Sequence, residues 1–590
     1  MEKAGTISLD KEGLYLDKLQ VEKERGITVR AHTTSLVYKH SDGESYLLNL
    51  IDTPGHVDFT YEVSRSLKAC QGAVLLVDCT QGIQAQTVAN YFLAWEANLK
   101  IIPVMNKIDL PTSDPARVIK ELANMGFEES EVLKASGKTG EGVEGILKAV
   151  IERLPAPSGD PAKPLKALLF ENWYDQFRGV VCLVNILDGA LKKGDRIVAA
   201  SSNKVYELEN VGILYPERAP TGALYTGQVG YIIGGMRSTK EARVGDTLYL
   251  EGAPVEPLPG FKSAKPMVFA GLYPADGESL DRLTDAFEKL TLNDASVTYT
   301  KERSDALGMG FRCGFLGLLH MDVFLQRLEQ EYGTDVIATA PTVPYIVTTK
   351  EGQEIVVNNP SLFPEQHDIL TCTEPVAEAR IIAPKEYLSP LLRLCLERRG
   401  VQQELSYIDE ARLHLRYRIP LSELITDFND SLKALTSGFA TFDYEEAGYE
   451  ESELVKVDVL INGKPVEALS AIAHQSKGVN YGKDLVQKLR KVVKRQLFQV
   501  AIQASVDGRI VARETLQALR KDVTAKCYGG DITRKRKLLE KQKEARRDLP
   551  PCIPFHATDV RPVGKKRMKT IGNVQLSQDA FYSILKKGDE

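Results

Sequence analysis

Asp52-Thr53-Pro54-Gly55-His56 follows the apolar run Tyr46-Leu-Leu-Asn-Leu-Ile51, and the pair reads as a buried strand ending in a tight turn. An Asp at the tip of such a strand can hold Mg²⁺ through water, and a Gly N–H beside it can touch a terminal phosphate. A His in the same turn can orient an attacking water. Downstream, Asn106-Lys107-Ile108-Asp109 ends a second apolar strand, Ile101-Ile-Pro-Val-Met105. Asp109 has the geometry to accept both N–H groups on a guanine edge, while Asn106 and Lys107 can brace the loop and the ring face. Two such motifs in this order define a GTPase. The phosphate-cradling loop G-x-x-x-x-G-K-[ST], which should open the domain on its first strand, does not occur. The only G-K-[ST] is Gly137-Lys138-Thr139, and the first Gly of the pattern would fall on Val132. Ala135-Ser136-Gly137-Lys138 instead follows the guanine motif at the interval of a third base-contacting loop. Its better reading is contact with the guanine carbonyl through backbone N–H groups.

Around these motifs lies a chain of 590 residues, long enough for roughly four domains of about 150 residues each. Its 43% hydrophobic and 26% charged content is that of ordinary globular chains. Eight scattered Cys, with no C-x-x-C, argue against a disulfide framework or a zinc site. No apolar run approaches the roughly 18 residues needed to span a membrane. The first residues show neither an apolar signal core nor an Arg-rich transit pattern. Charge is unevenly spread. Residues 483–569 carry 24 Lys and Arg against 9 Asp and Glu, a net of +15 in a chain whose total is −5. A basic block on an acidic body is the footprint of a polyanion binder.

Composition shifts divide the chain. Residues 1–154 alternate apolar strands with helical stretches at Phe59–Ala69, Gln84–Ala97, Pro115–Asn124 and Val143–Arg153. This is a βαβ pattern that predicts a doubly wound parallel sheet. Pro155-Ala-Pro-Ser-Gly-Asp-Pro161 is a linker. Residues 165–258 are short strands with turns, an all-β barrel. Residues 264–340 are an α+β unit with helices at Leu280–Leu290 and Leu318–Tyr332. A strand-rich connector leads to a second α+β unit, 374–455, with a helix from Pro384 to Arg399. Residues 456–590 form a basic mixed module. His320 and Cys313 read as core.

Glu24-Arg-Gly-Ile-Thr28, the Asp52–His56 turn and Asn106–Asp109 resemble a translational GTPase. The barrel and two α+β units resemble the body of elongation factor G. Three further stretches are similar to elongation factor 4 (LepA), the proposed ribosomal back-translocase, in its mitochondrial form. They are Lys262–Phe269, Gly310–Met321 and above all Ala525-Lys-Cys-Tyr-Gly-Gly-Asp-Ile-Thr-Arg-Lys-Arg-Lys537. The resemblance covers essentially the whole chain.

It implies an incomplete doubly wound GTPase domain, a β-barrel, two ferredoxin-like α+β domains, the first at 264–340 and the second, like the elongation factor G C-terminus, at 374–455, and a basic family-specific C-terminal module. It also implies GTP hydrolysis with Mg²⁺ on the mitochondrial ribosome, among rRNA and tRNA, and a fidelity role by one-codon back-translocation. The expected product is a monomer lying peripherally on the matrix side of the inner membrane. A form in the bacterial cytoplasm and at the membrane periphery is the alternative.

By position, Thr28 matches a Mg²⁺ ligand that senses the γ-phosphate, and Asp52 matches a residue that holds Mg²⁺ through water. Gly55 matches the γ-phosphate contact, with Thr53 and Pro54 in the same turn, and His56 matches the catalytic water-orienting residue. Asn106, Lys107, Ile108 and Asp109 match the guanine readers, supported by Ser136 and Gly137. Lys526, Arg534, Lys535, Arg536 and Lys537, around the turn Gly529-Gly530, are the RNA-binding candidates.

Relatives carry a strand, the phosphate loop and a helix ahead of the Glu24–Thr28 segment, so about one βα unit of some tens of residues is expected upstream, with any transit peptide. That strand lies mid-sheet, so its neighbours are expected to be left unpaired. Residues 546–563, with four prolines, are expected to be an exposed loop or unspliced sequence. Two other functions stay open, a ribosome-binding factor that does not hydrolyse GTP and a forward translocase like elongation factor G.

Overall fold

The computed structural model describes residues 17–518 and 532–544, apart from short interruptions at 18, 176, 237–240, 262–264, 276–279, 295, 305–306, 408–411, 494 and 496–498. Helix α1 (Gln20–Arg25) is stopped by Gly26, whose φ of +63° suits a residue without a Cβ. Strands β1 (His32–Lys39) and β2 (Ser45–Asp52) then form an antiparallel hairpin that sets His32 opposite Asp52. Helix α2 (Thr60–Leu67) follows. Strands β3 (Gly72–Asp78), β4 (Lys100–Asn106) and β5 (Leu133–Lys134) run parallel in that order. Helices α3 (Ala85–Glu96), α4 (Pro115–Asn124) and α5 (Val143–Arg153) cover them. Alternation along β4 explains the winding. Ile102 and Val104 pack with Ala149 of α5, while Met105 points the other way toward Val118 and Leu122 of α4.

The expected break in the sheet is seen. The β-strands of this unit do not form a single parallel sheet. The hairpin and the three-stranded sheet share no hydrogen-bonded strand among the described residues. Among the described residues β2 pairs with β1 alone and β3 with β4 alone. Leu76 on β3 is 58% exposed.

Residues 166–250 make an eight-stranded antiparallel sheet and a two-stranded companion. Strands Lys166–Asp175 and Gly179–Asp188 are apolar on both faces. Ala167, Leu169, Val180, Cys182 and Val184 fill the interior, while Leu168, Phe170, Val181 and Leu183 face outward onto Ile51 and Ala69 of the preceding unit. Asn185 Nδ2 donates to the Ala69 carbonyl at 3.1 Å, fixing that contact.

The next unit is a strand–helix–strand–strand–helix–strand fold with α6 (Leu280–Asn293) and α7 (Leu318–Tyr332). Its strand order, Thr298–Ser304, Gly308–Phe315, Val268–Pro274, Val336–Ala338, is ferredoxin-like. The same order recurs around the 16-residue strand Ile369–Pro384, with helices α8 (Leu388–Glu397) and α9 (Leu421–Leu435). The expected connector before it is part of this second sheet, because Tyr345–Thr349 pairs with the first half of that long strand. Helix α8 starts later than predicted, since Pro384 ends the strand and Lys385–Tyr387 makes a 3-10 turn. The last sheet carries α10 (Gln475–Val492), and a separate basic helix, α11, spans Ile532–Glu544. Among the described residues no helix is long and apolar enough to cross a membrane.

Candidate functional site

The Asn106–Asp109 loop leaves the end of β4 through Lys107, which has φ +62°. Asn106 Oδ1 holds the loop closed, accepting from the N–H groups of Lys107 at 2.9 Å and Gly137 at 3.0 Å. The Ser136 hydroxyl, fully buried, donates to Asp109 Oδ1 at 2.7 Å and accepts from Thr139 N–H. Asp109 is exposed and keeps its other oxygen for an incoming donor. Lys107 Nζ reaches Asp78 at 2.8 Å, which pins its stem across the mouth of the loop. The structure thus brings Asn106, Lys107, Asp109, Ser136 and Gly137 together. The Gly137 N–H is already engaged by Asn106.

On the other side, Asp52 ends β2 and Gly55 has open space around its Cα, with no atom within 4 Å of where a Cβ would stand. A phosphate can approach that backbone. Burial pushes the Asp52 carboxyl up, and the like charge of Asp17 pushes it further. Thr28 Oγ1 donates to Asp17 at 3.1 Å, so Thr28 and Asp52 face one acidic locus through Asp17. Two crowded carboxylates and a hydroxyl fit a hard divalent cation. Among the described residues no group of three His, Cys, Asp or Glu could hold a metal. Glu22, fully buried, keeps the preceding segment in shape by accepting from the N–H groups of Leu19, Val29 and Arg30. Its burial opposes ionisation, but His32 and the backbone donors hold its carboxyl below the usual value.

His56 is about one-third exposed, with its ring edge-on to Phe59 at 6.4 Å. Burial lowers its pKa, Asp58 opposes this and Lys433 of α9 reinforces it. The ring is therefore neutral at neutral pH, as water orientation requires. Its Nδ1 accepts the Asp58 N–H at 3.2 Å.

The turn after His56 is gripped by distant parts of the chain that sequence patterns did not reveal. Phe59 packs with Val21, Val29 and Val323, joining α1, the turn and α7. Glu24 accepts from Gln326 and Gln330 of α7, and Arg25 donates to Gln326 at 2.7 Å. The buried Asp58 carboxylate accepts from Leu319 N–H at 2.7 Å and Tyr444 Oη at 3.4 Å. His320 and Cys313 are buried, as expected of core, yet His320 also meets the Phe59 ring at 6.0 Å and Asp294 at 2.8 Å.

The RNA-binding candidates fall in two places. Lys526 and the Gly529-Gly530 turn lie outside the described residues. Arg534, Arg536 and Lys537 are exposed on α11, with Lys535 half-buried. The 546–563 segment also lies outside the described residues.

Family models match along the chain. The elongation factor Tu GTP-binding domain matches residues 1–156 and elongation factor Tu domain 2 matches 179–249. The elongation factor G C-terminus matches 371–460 and the LepA C-terminus 461–552. The mitochondrial translation factor GUF1 homolog of Sorghum bicolor is 57% identical over 97% of this chain and 84% of its own length. Its namesake in Arabidopsis thaliana is 54% identical over 99% of this chain and 87% of its own. A solved structure from Thermus thermophilus shares the fold, with a TM-score of 0.53 at 18% identity over 76% of this chain and 94% of its own. With both the GTP-binding domain and the LepA C-terminus present and relatives of this identity end to end, the chain belongs to the elongation factor 4 (LepA/GUF1) family of translational GTPases.

Proposed function

We propose that this chain is a ribosome-stimulated GTP hydrolase of mitochondrial protein synthesis, acting as a fidelity factor that moves tRNAs back by one codon on improperly translocated ribosomes. The observation that carries the reading is the loop closed by the Ser136–Asp109 and Gly137–Asn106 bonds. It leaves an exposed carboxylate to read a guanine edge, in a chain that also presents the open Gly55 turn.

In this reading Asp109 accepts the two guanine N–H groups, Lys107 and Ile108 cover the ring, and backbone beside Gly137 meets the guanine carbonyl. Gly55 contacts the γ-phosphate within the Asp52–His56 turn. His56, neutral, orients the attacking water. Asp52 and Thr28 would hold Mg²⁺, which neutralises charge on the phosphates when bound. We further propose a monomer of five functional parts, 1–154, 165–258, 264–340, 374–455 and 456–590. The last would meet rRNA and tRNA through Lys526 and Arg534–Lys537. The site of action would be the matrix side of the inner membrane, held peripherally.

The test is GTP turnover with and without mitochondrial ribosomes, for parent and His56→Ala. The expected result is stimulated turnover in the parent that His56→Ala abolishes with little change in GTP affinity, because the ring acts on water in the transition state. Ribosome binding without turnover in the parent would favour the non-hydrolysing alternative, which the lack of a G-x-x-x-x-G-K-[ST] stretch keeps in view.

A further inference from the structure

Asp58 stands two residues after His56, and its side chain is only 3% exposed. Buried carboxylates persist where donors converge on them, and here the donors come from other units. Oδ2 accepts from the N–H groups of Leu319 at 2.7 Å and His320 at 3.3 Å, in the first turn of α7. The residue ahead of that helix is Gly317, which has no side chain to cap it. Asp58 supplies the cap from outside, and its negative charge suits the positive end of the helix. Gly317 is also what makes room, since a Cβ there would overlap the Asp58 carboxylate. Oδ1 takes the hydroxyl of Tyr444, on the strand Thr441–Glu451 of the second α+β unit. One carboxylate therefore touches both α+β units, while the N–H of the same residue fills His56 Nδ1. That bond leaves the ring proton on Nε2. The 3-10 turn Val57–Phe59 leaves little slack between the two residues.

We infer that Asp58 is a positioning residue that links the placement of the two α+β units to the orientation and tautomer of the His56 ring. When α7 and Tyr444 are seated, the turn is fixed and His56 Nδ1 is occupied. When either withdraws, Asp58 loses its donors, the turn relaxes and the ring is released. This rests on the hydrolytic reading of His56, but the contacts themselves do not.

The experiment uses the full chain in four forms: parent, Asp58→Asn, Asp58→Ala, and Asp58→Ala combined with Gly317→Asp. Amide exchange at Leu319 and His320 reports the cap. NMR titration of His56 reports the link, and ribosome-stimulated kcat and KM for GTP report its use. In Asp58→Ala, exchange at both amides should speed up roughly tenfold or more, because charge-assisted bonds are lost. In Asp58→Asn, His56 should titrate at lower pH than in the parent, having lost the neighbouring negative charge. Stimulated kcat should fall in both single variants while KM stays near the parent value. The double variant restores a cap on α7 from within its own unit, so the amides should regain protection while kcat stays low. Recovery of kcat together with protection would overturn the inference and leave Asp58 a structural cap. An unchanged His56 titration in Asp58→Asn would overturn it as well. Absent turnover in the parent would refute the hydrolytic reading alone, and the exchange and titration data would still decide the link.

Discussion

Asp443 should make the protein less stable as pH rises, and Asp443→Asn should remove that dependence. Along the strand Thr441–Glu451, Phe442 and Tyr444 stack at 5.6 Å, and Phe442 meets Phe428 of α9. Asp443 points the other way with Thr441, whose hydroxyl accepts the Ala85 N–H at the start of α3. Asp443 is 1% exposed, and among the described residues no side-chain hydrogen bond to either carboxylate oxygen is formed. Burial lifts its pKa from 3.8 to about 6, a rise that the Tyr444 N–H and the Arg380 guanidinium oppose. The folded state therefore holds this proton more tightly than the unfolded one. The contribution is fully present below pH 3.8 and is lost as pH rises through about 6. A shift of that size corresponds to about 3 kcal/mol in all, of which about 1.4 kcal/mol falls between pH 5 and pH 8. The assay is the stability difference between Asp443→Asn and parent, from thermal or urea unfolding at both pH values. Other titrating groups cancel in the difference. The gap should move in favour of the variant by about 1.4 kcal/mol from pH 5 to pH 8. An equal gap at both pH values, or a carboxyl carbon resonance titrating at the ordinary aspartate value, would refute the reasoning.

Three further outcomes are expected. Asp109→Asn should weaken GTP binding by roughly tenfold or more, since the guanine N–H groups lose a charged acceptor; calorimetric titration checks it. Gly317→Ala should destabilise the contact between α7 and the Asp52–Phe59 turn, because the new methyl meets the Asp58 carboxylate; faster amide exchange at Leu319 is the readout. Replacing Arg534, Lys535, Arg536 and Lys537 with Ala should flatten the salt dependence of ribosome binding by up to about four phosphate contacts, each worth a slope near 0.7–0.9. An unchanged slope would make α11 a solvated face.

The parts legible in sequence were those encoded within a few residues. Helix α4 announces itself through Asp114, which caps it by accepting from Arg117 N–H, and Pro115 at its first position. Helix α7 ends where predicted because Gly333 takes the left-handed turn. The Asn106–Asp109 loop and the Asp52–His56 turn were visible because each follows an apolar strand. What could not be read is long-range. Asp58 meets partners 261 and 386 positions away, and nothing local separates it from an ordinary helix-start aspartate. Strand Tyr345–Thr349 looked like a connector for the same reason, since its partner is set by a sheet and not by its neighbours. His320 carried no sign that one edge of a core residue would also line a joint between units.

The divided sheet bears on how this chain behaves in a crowded solution. Among the described residues strand β3 pairs with β4 alone, and its Val74 and Leu76 are exposed. Among the described residues β2 likewise pairs with β1 alone. Strands with open apolar edges are templates for pairing between molecules. Edge-to-edge pairing between copies is a second-order process, so it grows with the square of concentration. Yield of dispersed protein should depend on dilution and on chaperone supply more steeply than for a domain whose sheet is closed.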